Sequence, residues 1–220
     1  MIGEMWRRSD ICALYRLSDL TDSSGNGNTL TPYGSGTIQF LPEKFGKHAY
    51  FNDAHILYRY TYFGLDLTQP YSVGCWVSIT TPPTYPNKSK IMMIKRKDAP
   101  QRYSKLEYQW STESGTLWLK FISSYNAYSA NYEITLDINK WYHVVGTSDG
   151  TYNYLYLNGN KVASGYVGND QSVDQNISFL GSYGSGEILL GKIDEAIVWN
   201  KCLTPQEIRR WYGWSVGKLV

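Results

Sequence analysis

Residues Lys140 to Gly165, KWYHVVGTSDGTYNYLYLNGNKVASG, constrain this chain more than any other stretch. Trp141 to Val145 is aromatic and β-branched, which suits a pleated, half-buried surface. Asp149-Gly150 supplies the positive φ that a tight turn needs. From Tyr152 to Leu157 the residues alternate, so Tyr152, Tyr154 and Tyr156 share one face and Asn153, Leu155 and Leu157 the other. Asn158-Gly159 between apolar runs is a strong hairpin signal. The stretch is predicted to be a β-meander whose leucines face a core.

The rest of the chain has the same character. Ile11 to Leu17 is the first strand, followed by a turn-rich segment, Asp19 to Asn28. Thr29 to Phe40 contains Pro32, Gly34 and Gly36, so any strand there is short or at an edge. Ala49 to Phe51, His55 to Phe63 and Tyr71 to Thr80 follow as strands, the last with Val73, Cys75, Val77 and Ile79 on one face and Trp76 on the other. Ile91 to Ile94, Leu106 to Trp110 and Leu117 to Ile122 are also predicted strands, Ile134 to Leu136 leads into the central meander, Ile177 to Leu180 precedes a Gly/Ser loop from Gly181 to Gly186, and Glu187 to Trp199 gives two apolar runs around Gly191. Thr204-Pro205-Gln206-Glu207 is a helix-start signature, predicting one helix from Pro205 to Tyr212 that ends at Gly213. About a dozen short strands and one helix imply an all-β protein: a two-sheet antiparallel sandwich in one domain over 1–220.

Several function classes are excluded or disfavoured. No apolar run reaches membrane-spanning length, so no membrane insertion is expected. The N-terminus carries charges where a signal peptide needs an apolar stretch, so no secretory address is expected. Net charge is +2, with Lys95-Arg96-Lys97 the only dense basic run, which is a poor nucleic-acid footprint. Cys12, Cys75 and Cys202 are too few and scattered for a zinc site or disulfide framework and are expected as reduced, buried thiols.

An ordered set of segments resembles the laminin-G-like jelly roll of the concanavalin A-like lectin/glucanase superfamily. The set is Asp22 to Asn28 (DSSGNGN), Tyr71 to Val77 (YSVGCWV), Trp141 to Val145 (WYHVV), Leu155 to Gly159 (LYLNG), Gly191 to Glu195 (GKIDE) and Leu203 to Ile208 (LTPQEI). It spans residues 11 to 208 and implies a jelly-roll sandwich, while one such fold hosts many activities. The tail from Arg209 to Lys218 also resembles the endings of such domains in phage-like structural proteins.

Three kinds of site follow for weighing. Some superfamily members are glycoside hydrolases, which need two carboxylates about 5–5.5 Å or 6.5–9.5 Å apart. Their E-x-D-x-x-E type of motif is absent, Asp194 and Glu195 should point to opposite faces, and His48, His55 and His143 lie in separate segments, so no catalytic residues are assigned. The resemblance implies at most one calcium, held by Asp22, Asn26 and Asn28, with Asp194 as a further ligand. The favoured alternative is an Asx-rich turn capping its own backbone. For ligand binding, Tyr152, Tyr154 and Tyr156 form a stripe, and Tyr125, Tyr128 and Tyr132 lie in a segment expected to be a loop.

The chain is thus expected to be a non-catalytic recognition or structural module that binds glycans or neighbouring subunits and is able to form a homo-oligomer. The setting expected from the resemblance is a virion or similar assembly built in the cytoplasm. Two alternatives stand beside it: a carbohydrate-binding module of a secreted multidomain protein, and a glycan-active enzyme with an unrecognised site.

Overall fold

A computed structural model describes residues 8–33, 38–43, 46–52, 56–59, 64–84, 88–96, 103–110, 115–123, 128–167, 176–181 and 187–217. A 3-10 turn at Arg8–Asp10 precedes β1 (Ile11–Tyr15), β2 (Thr31–Tyr33), β3 (Gln39–Glu43), β4 (Gly46–Phe51), β5 (Ile56–Arg59) and β6 (Tyr71–Thr81). Then come β7 (Lys88–Arg96), β8 (Tyr103–Trp110), β9 (Leu117–Ser123), β10 (Tyr128–Glu133) and β11 (Trp141–Ser148). The remaining elements are β12 (Tyr152–Leu157), β13 (Asn160–Tyr166), β14 (Asn176–Leu180), β15 (Leu190–Trp199) and the helix α1 (Pro205–Gly217).

The strands form two antiparallel sheets. One is ordered β13-β12-β11-β6-β15-β4-β3 with β1 beside β15, and the other β10-β9-β8-β7-β14-β5-β2. This is the expected jelly-roll sandwich with one short C-terminal helix. The proline- and glycine-bearing segment forms β2 and β3, each at a sheet edge.

The core lies between the sheets. Val73, Cys75, Val77 and Ile79 of β6 pack there with Leu155 and Leu157 of β12 and with Leu106, Tyr108, Leu119 and Phe121 of the facing sheet. At Gly146 the sheets meet so closely that a Cβ would collide with the Phe121 ring. The predicted turn at Asn158-Gly159 has positive φ at both residues, 50° and 79°. Asn158 Oδ1 accepts from His143 N–H, and Asn158 N–H donates to the His143 carbonyl, which locks β11 to β12.

Two local expectations are corrected. The segment read as a loop around Tyr128 and Tyr132 is strand β10, paired in continuous register with β9. Its alternation is real: Ala130 and Tyr132 turn to the core, whereas Asn131 and Glu133 are exposed. Ile134 to Leu136 leads into β11, with Ile134 N–H donating to the Leu117 carbonyl and Leu136 N–H to the Tyr108 hydroxyl. The helix continues through Gly213 to Gly217, since Ile208, Trp211 and Ser215 recur on one buried face. Its start is as predicted: Glu207 N–H donates to Thr204 Oγ1, and Thr204 N–H to Glu207 Oε2. No helix of the described structure is long and apolar enough to cross a membrane.

Candidate functional site

Each sheet has an outer face, and the two differ in what covers them. On the β6 sheet, α1 lays Ile208 and Trp211 over Val145, Tyr156, Ile197 and Trp199. Trp76 stacks on Tyr212, and the His143 ring meets Trp211 edge to face at 4.1 Å. His143 is fully buried, and among the described residues neither ring nitrogen has a hydrogen-bond partner. Burial pushes its pKa down to about 3, so the ring stays neutral. Further along the same face, Glu43 of β3 takes Lys192 at 2.8 Å and the Trp141 Nε1–H at 3.2 Å, above the buried His48. Apolar contacts and ion pairs within the chain therefore occupy much of this face.

The outer face of the β8 sheet carries polar chemistry instead. Along β8, Leu106 and Tyr108 point to the core, so Tyr103, Lys105, Glu107 and Gln109 alternate outward. Likewise Trp118 and Lys120 of β9 oppose the core residues Leu119 and Phe121. Register sets these outward residues in rows across the strands. Lys88, Gln109, Trp118 and Glu133 make one row from β7 to β10, and Lys90, Glu107, Lys120 and Asn131 the next.

Two of these outward residues form a buried ion pair, and their neighbours are half-buried. Lys105 is 3% and Glu107 1% exposed, with Lys105 Nζ 2.8 Å from Glu107 Oε2 and 4.7 Å from the Tyr103 ring centre. With its amide turned to suit both neighbours, Gln109 donates to Glu107 Oε1 at 2.7 Å and accepts from Lys120 Nζ at 3.0 Å. Lys120 Nζ stands 6.0 Å from the Trp118 ring centre, and Trp118 Nε1–H is tied to Thr116 Oγ1 at 3.0 Å. Lys90 pairs with Glu187; burial holds its pKa below the ordinary lysine value and Lys105 adds to that, while Glu187 and Glu107 oppose it. An indole flanked by amide, ammonium and carboxylate groups held in fixed positions can stack on a sugar ring and bond its hydroxyls.

The residues expected from sequence to bind ligand are placed differently. Tyr152 is 46% exposed and meets Tyr166, 50% exposed, edge to face at 5.9 Å. Tyr154 is half-buried, its hydroxyl donating to Asp149 Oδ2 at 2.8 Å and its ring 5.5 Å from Lys161 Nζ. Tyr156 is buried beneath α1, so the three tyrosines do not form one open stripe. Tyr132 packs against the core, Tyr128 begins β10, and Tyr125 lies outside the described residues. The outward row on β8 and β9 was missed. The alternation in YSKLEYQW and LWLKFIS, with charged or aromatic residues at every second position, is the signal that marks it.

The loop expected to hold calcium is bound to its own chain. Asp22 Oδ1 accepts from the N–H groups of Leu14 and Ser24, and Oδ2 from Ser24 Oγ and Asn28 N–H. Asn26 and Asn28 turn their amide NH2 groups to the carbonyls of Ile11 and Cys12. Asp194 is buried in β15 and accepts from the Glu195 N–H. Calcium takes about six to eight oxygen ligands, and a loop whose one carboxylate already accepts four hydrogen bonds fits a self-capped turn instead. Among the described residues no cluster of His, Cys, Asp and Glu could hold a metal ion.

Comparison with known proteins agrees with this architecture. A laminin-G-like family profile, described as the concanavalin A-like lectin/glucanases superfamily, matches residues 47–209. No curated protein sequence matches the chain. Among solved structures, domain 4 of an extracellular arabinanase from Geobacillus stearothermophilus, in complex with arabinotriose, is similar at 25% identity and a TM-score of 0.72. That match covers 91% of this chain and 97% of that one. The binding domain of botulinum neurotoxin serotype D is similar at 17% identity and a TM-score of 0.67, over 95% of this chain and 52% of that one. A heptameric pentraxin from Limulus polyphemus shares the fold at 17% identity and a TM-score of 0.58, over 73% and 78%.

Proposed function

This chain belongs to the concanavalin A-like lectin/glucanase superfamily, and we propose that within it the chain is a non-catalytic glycan-binding module whose ligand lies on the outer face of the β8 sheet. The observation that carries this reading is the anchored Trp118 indole beside Gln109 and Lys120, which the buried Lys105–Glu107 pair positions. The similarity to an arabinanase domain complexed with arabinotriose, over nearly the whole of both chains, supports it. Titration of the protein with oligosaccharides tests it. Trp118→Ala should weaken glycan binding about tenfold or more while the melting temperature holds, as expected for an aromatic anchor. Glycan cleavage by the wild-type protein would overturn the non-catalytic part.

A second reading, contact with neighbouring subunits, is favoured by the exposed Tyr152–Tyr166 pair on the other sheet. In that case Tyr152→Ala combined with Tyr166→Ala should change the oligomeric state seen by analytical ultracentrifugation. Placement on a virion is part of this second reading and rests on the resemblance of the C-terminal tail.

A further inference from the structure

We infer that Lys192, Trp141, His48 and Ser78 form a binding site for the carboxylate of a small apolar or aromatic acid. Glu43 fills this site from within the chain until such a ligand displaces it. The site lies on the outer face of the β6 sheet, opposite the face read above as glycan-binding. Trp141 of β11 and Lys192 of β15 are both register partners of Ser78 on β6, and Tyr50 of β4 continues the row beyond Lys192. His48 stands two residues from Tyr50 on β4 and so shares its face, as does Leu41, the partner of His48 on β3. Glu43 comes from the end of β3, where it pairs with Gly46 to close the β3–β4 hairpin. Its Oε1 takes the Lys192 ammonium at 2.8 Å and its Oε2 the Trp141 indole N–H at 3.2 Å, with His48 Nδ1 3.4 Å from Oε2.

Those two bonds leave donors unused. Ser78 is fully buried and His48 is 2% exposed, and among the described residues neither the Ser78 hydroxyl nor either His48 ring nitrogen has a hydrogen-bond partner. Buried polar groups are normally bonded, so open donors around one carboxylate need an explanation. A carboxylate offers about four acceptor positions, enough for Lys192, Trp141, the Ser78 hydroxyl and one His48 N–H. Glu43, its side chain 34% exposed and tied to an edge strand, uses two of them. The charges select an anion. Among the described residues Lys192 pairs with no carboxylate but Glu43, so displacing Glu43 frees an ammonium for the ligand. Burial holds His48 below the ordinary imidazole pKa, Glu43 opposing and Lys192 adding, so the ring is a neutral donor. Asp194, two residues along β15, accepts from the Glu195 N–H. The surround selects the body of the ligand. The Trp141 ring meets His48 edge to face at 5.6 Å, Tyr50 is half-buried and Leu41 is exposed. One cation among apolar side chains suits a hydrocarbon or aromatic ring bearing a single carboxylate.

The test is calorimetric titration of the full chain with benzoate, with benzyl alcohol as the uncharged counterpart and chloride at equal ionic strength as the bare anion. Benzoate should bind the wild type saturably, and bind Glu43→Ala about tenfold or more tightly because the internal competitor is gone. In the Glu43→Ala background, Lys192→Met should weaken benzoate about tenfold or more, and Ser78→Ala about threefold or more. The His48 ring nitrogens should shift in NMR spectra with benzoate and not with benzyl alcohol. Melting curves establish that each variant is folded, and Glu43→Gln serves if Glu43→Ala does not fold. No benzoate binding to the Glu43 variants, or binding that survives Lys192→Met or is matched by chloride, would overturn the site. Benzyl alcohol binding as tightly as benzoate would overturn the carboxylate class. Equal affinity in wild type and Glu43→Ala, or binding to the variant with none to the wild type, would overturn the exchange with Glu43.

Discussion

The Lys105 ammonium lies 2.8 Å from Glu107 Oε2 with both side chains buried on the outer side of a sheet, not between the two sheets. Ion pairs so deeply desolvated are sensitive to the loss of one member. Glu107→Ala should cost about 3–5 kcal/mol by leaving Lys105 buried without its carboxylate. Replacing both residues by Met should cost much less. Denaturant unfolding of the single and double variants measures this, and a single-variant loss under about 1 kcal/mol would show that water reaches the pair.

His143 makes the helix seal acid-sensitive. Its pKa is about 3 in the folded chain against an ordinary value of 6.5. The unfolded chain therefore takes up a proton first as the pH falls. The stability contribution is whole above about pH 6.5 and is lost from there down toward pH 3, at up to about 1.4 kcal/mol per unit. His143→Phe should remove this slope. The difference between the two pH–stability curves isolates it from the carboxylates, and parallel curves would show that His143 is not held neutral.

Tyr156 and Tyr152 lie on one strand face but should respond in opposite ways. Tyr156→Ala opens a cavity under α1 and should cost about 3–5 kcal/mol. Tyr152→Ala, on an exposed side chain, should change stability by no more than about 0.5 kcal/mol. Thermal unfolding compares them, and similar losses at both positions would contradict the placement of α1.

The Asp22 loop should hold without metal. Adding calcium or a chelator is expected to leave the melting temperature unchanged. Asp22→Ala should cost about 2–4 kcal/mol, because it strands N–H groups that a charged acceptor now satisfies. A rise of several degrees with calcium would show that the loop opens to coordinate it.

Where a signal lies within a few residues, it was legible in the sequence. Asn158-Gly159 needs only its own positive φ, and Thr204 with Glu207 closes a cap over a single turn. The inward leucines Leu155 and Leu157 follow from alternation alone. The opposite face of that strand depends on a partner some fifty residues away, since Trp211 and Ile208 roof Tyr156. Alternation says which residues share a side but not what arrives to cover it. The same limit explains the missed face of β8, where Lys105 and Glu107 belong to a pattern usually solvated, yet are buried. Only the pairing of β7 to β10 assembles Lys88, Gln109, Trp118 and Glu133 into one row.

Strand β15 has an effect on the order in which the protein can be made. It pairs with β6, β4 and β1, and Ile11 waits for Trp199 as its partner. During synthesis, β1 and the β3–β4 hairpin emerge long before the strand that joins them to β6. Until residues 190–199 leave the ribosome, one sheet stays split into unconnected pieces with bare edges. Such long-range closure folds slowly and exposes unpaired strands to neighbouring chains. A nascent chain stalled before Leu190 is thus more in need of a chaperone than one stalled after α1 has emerged.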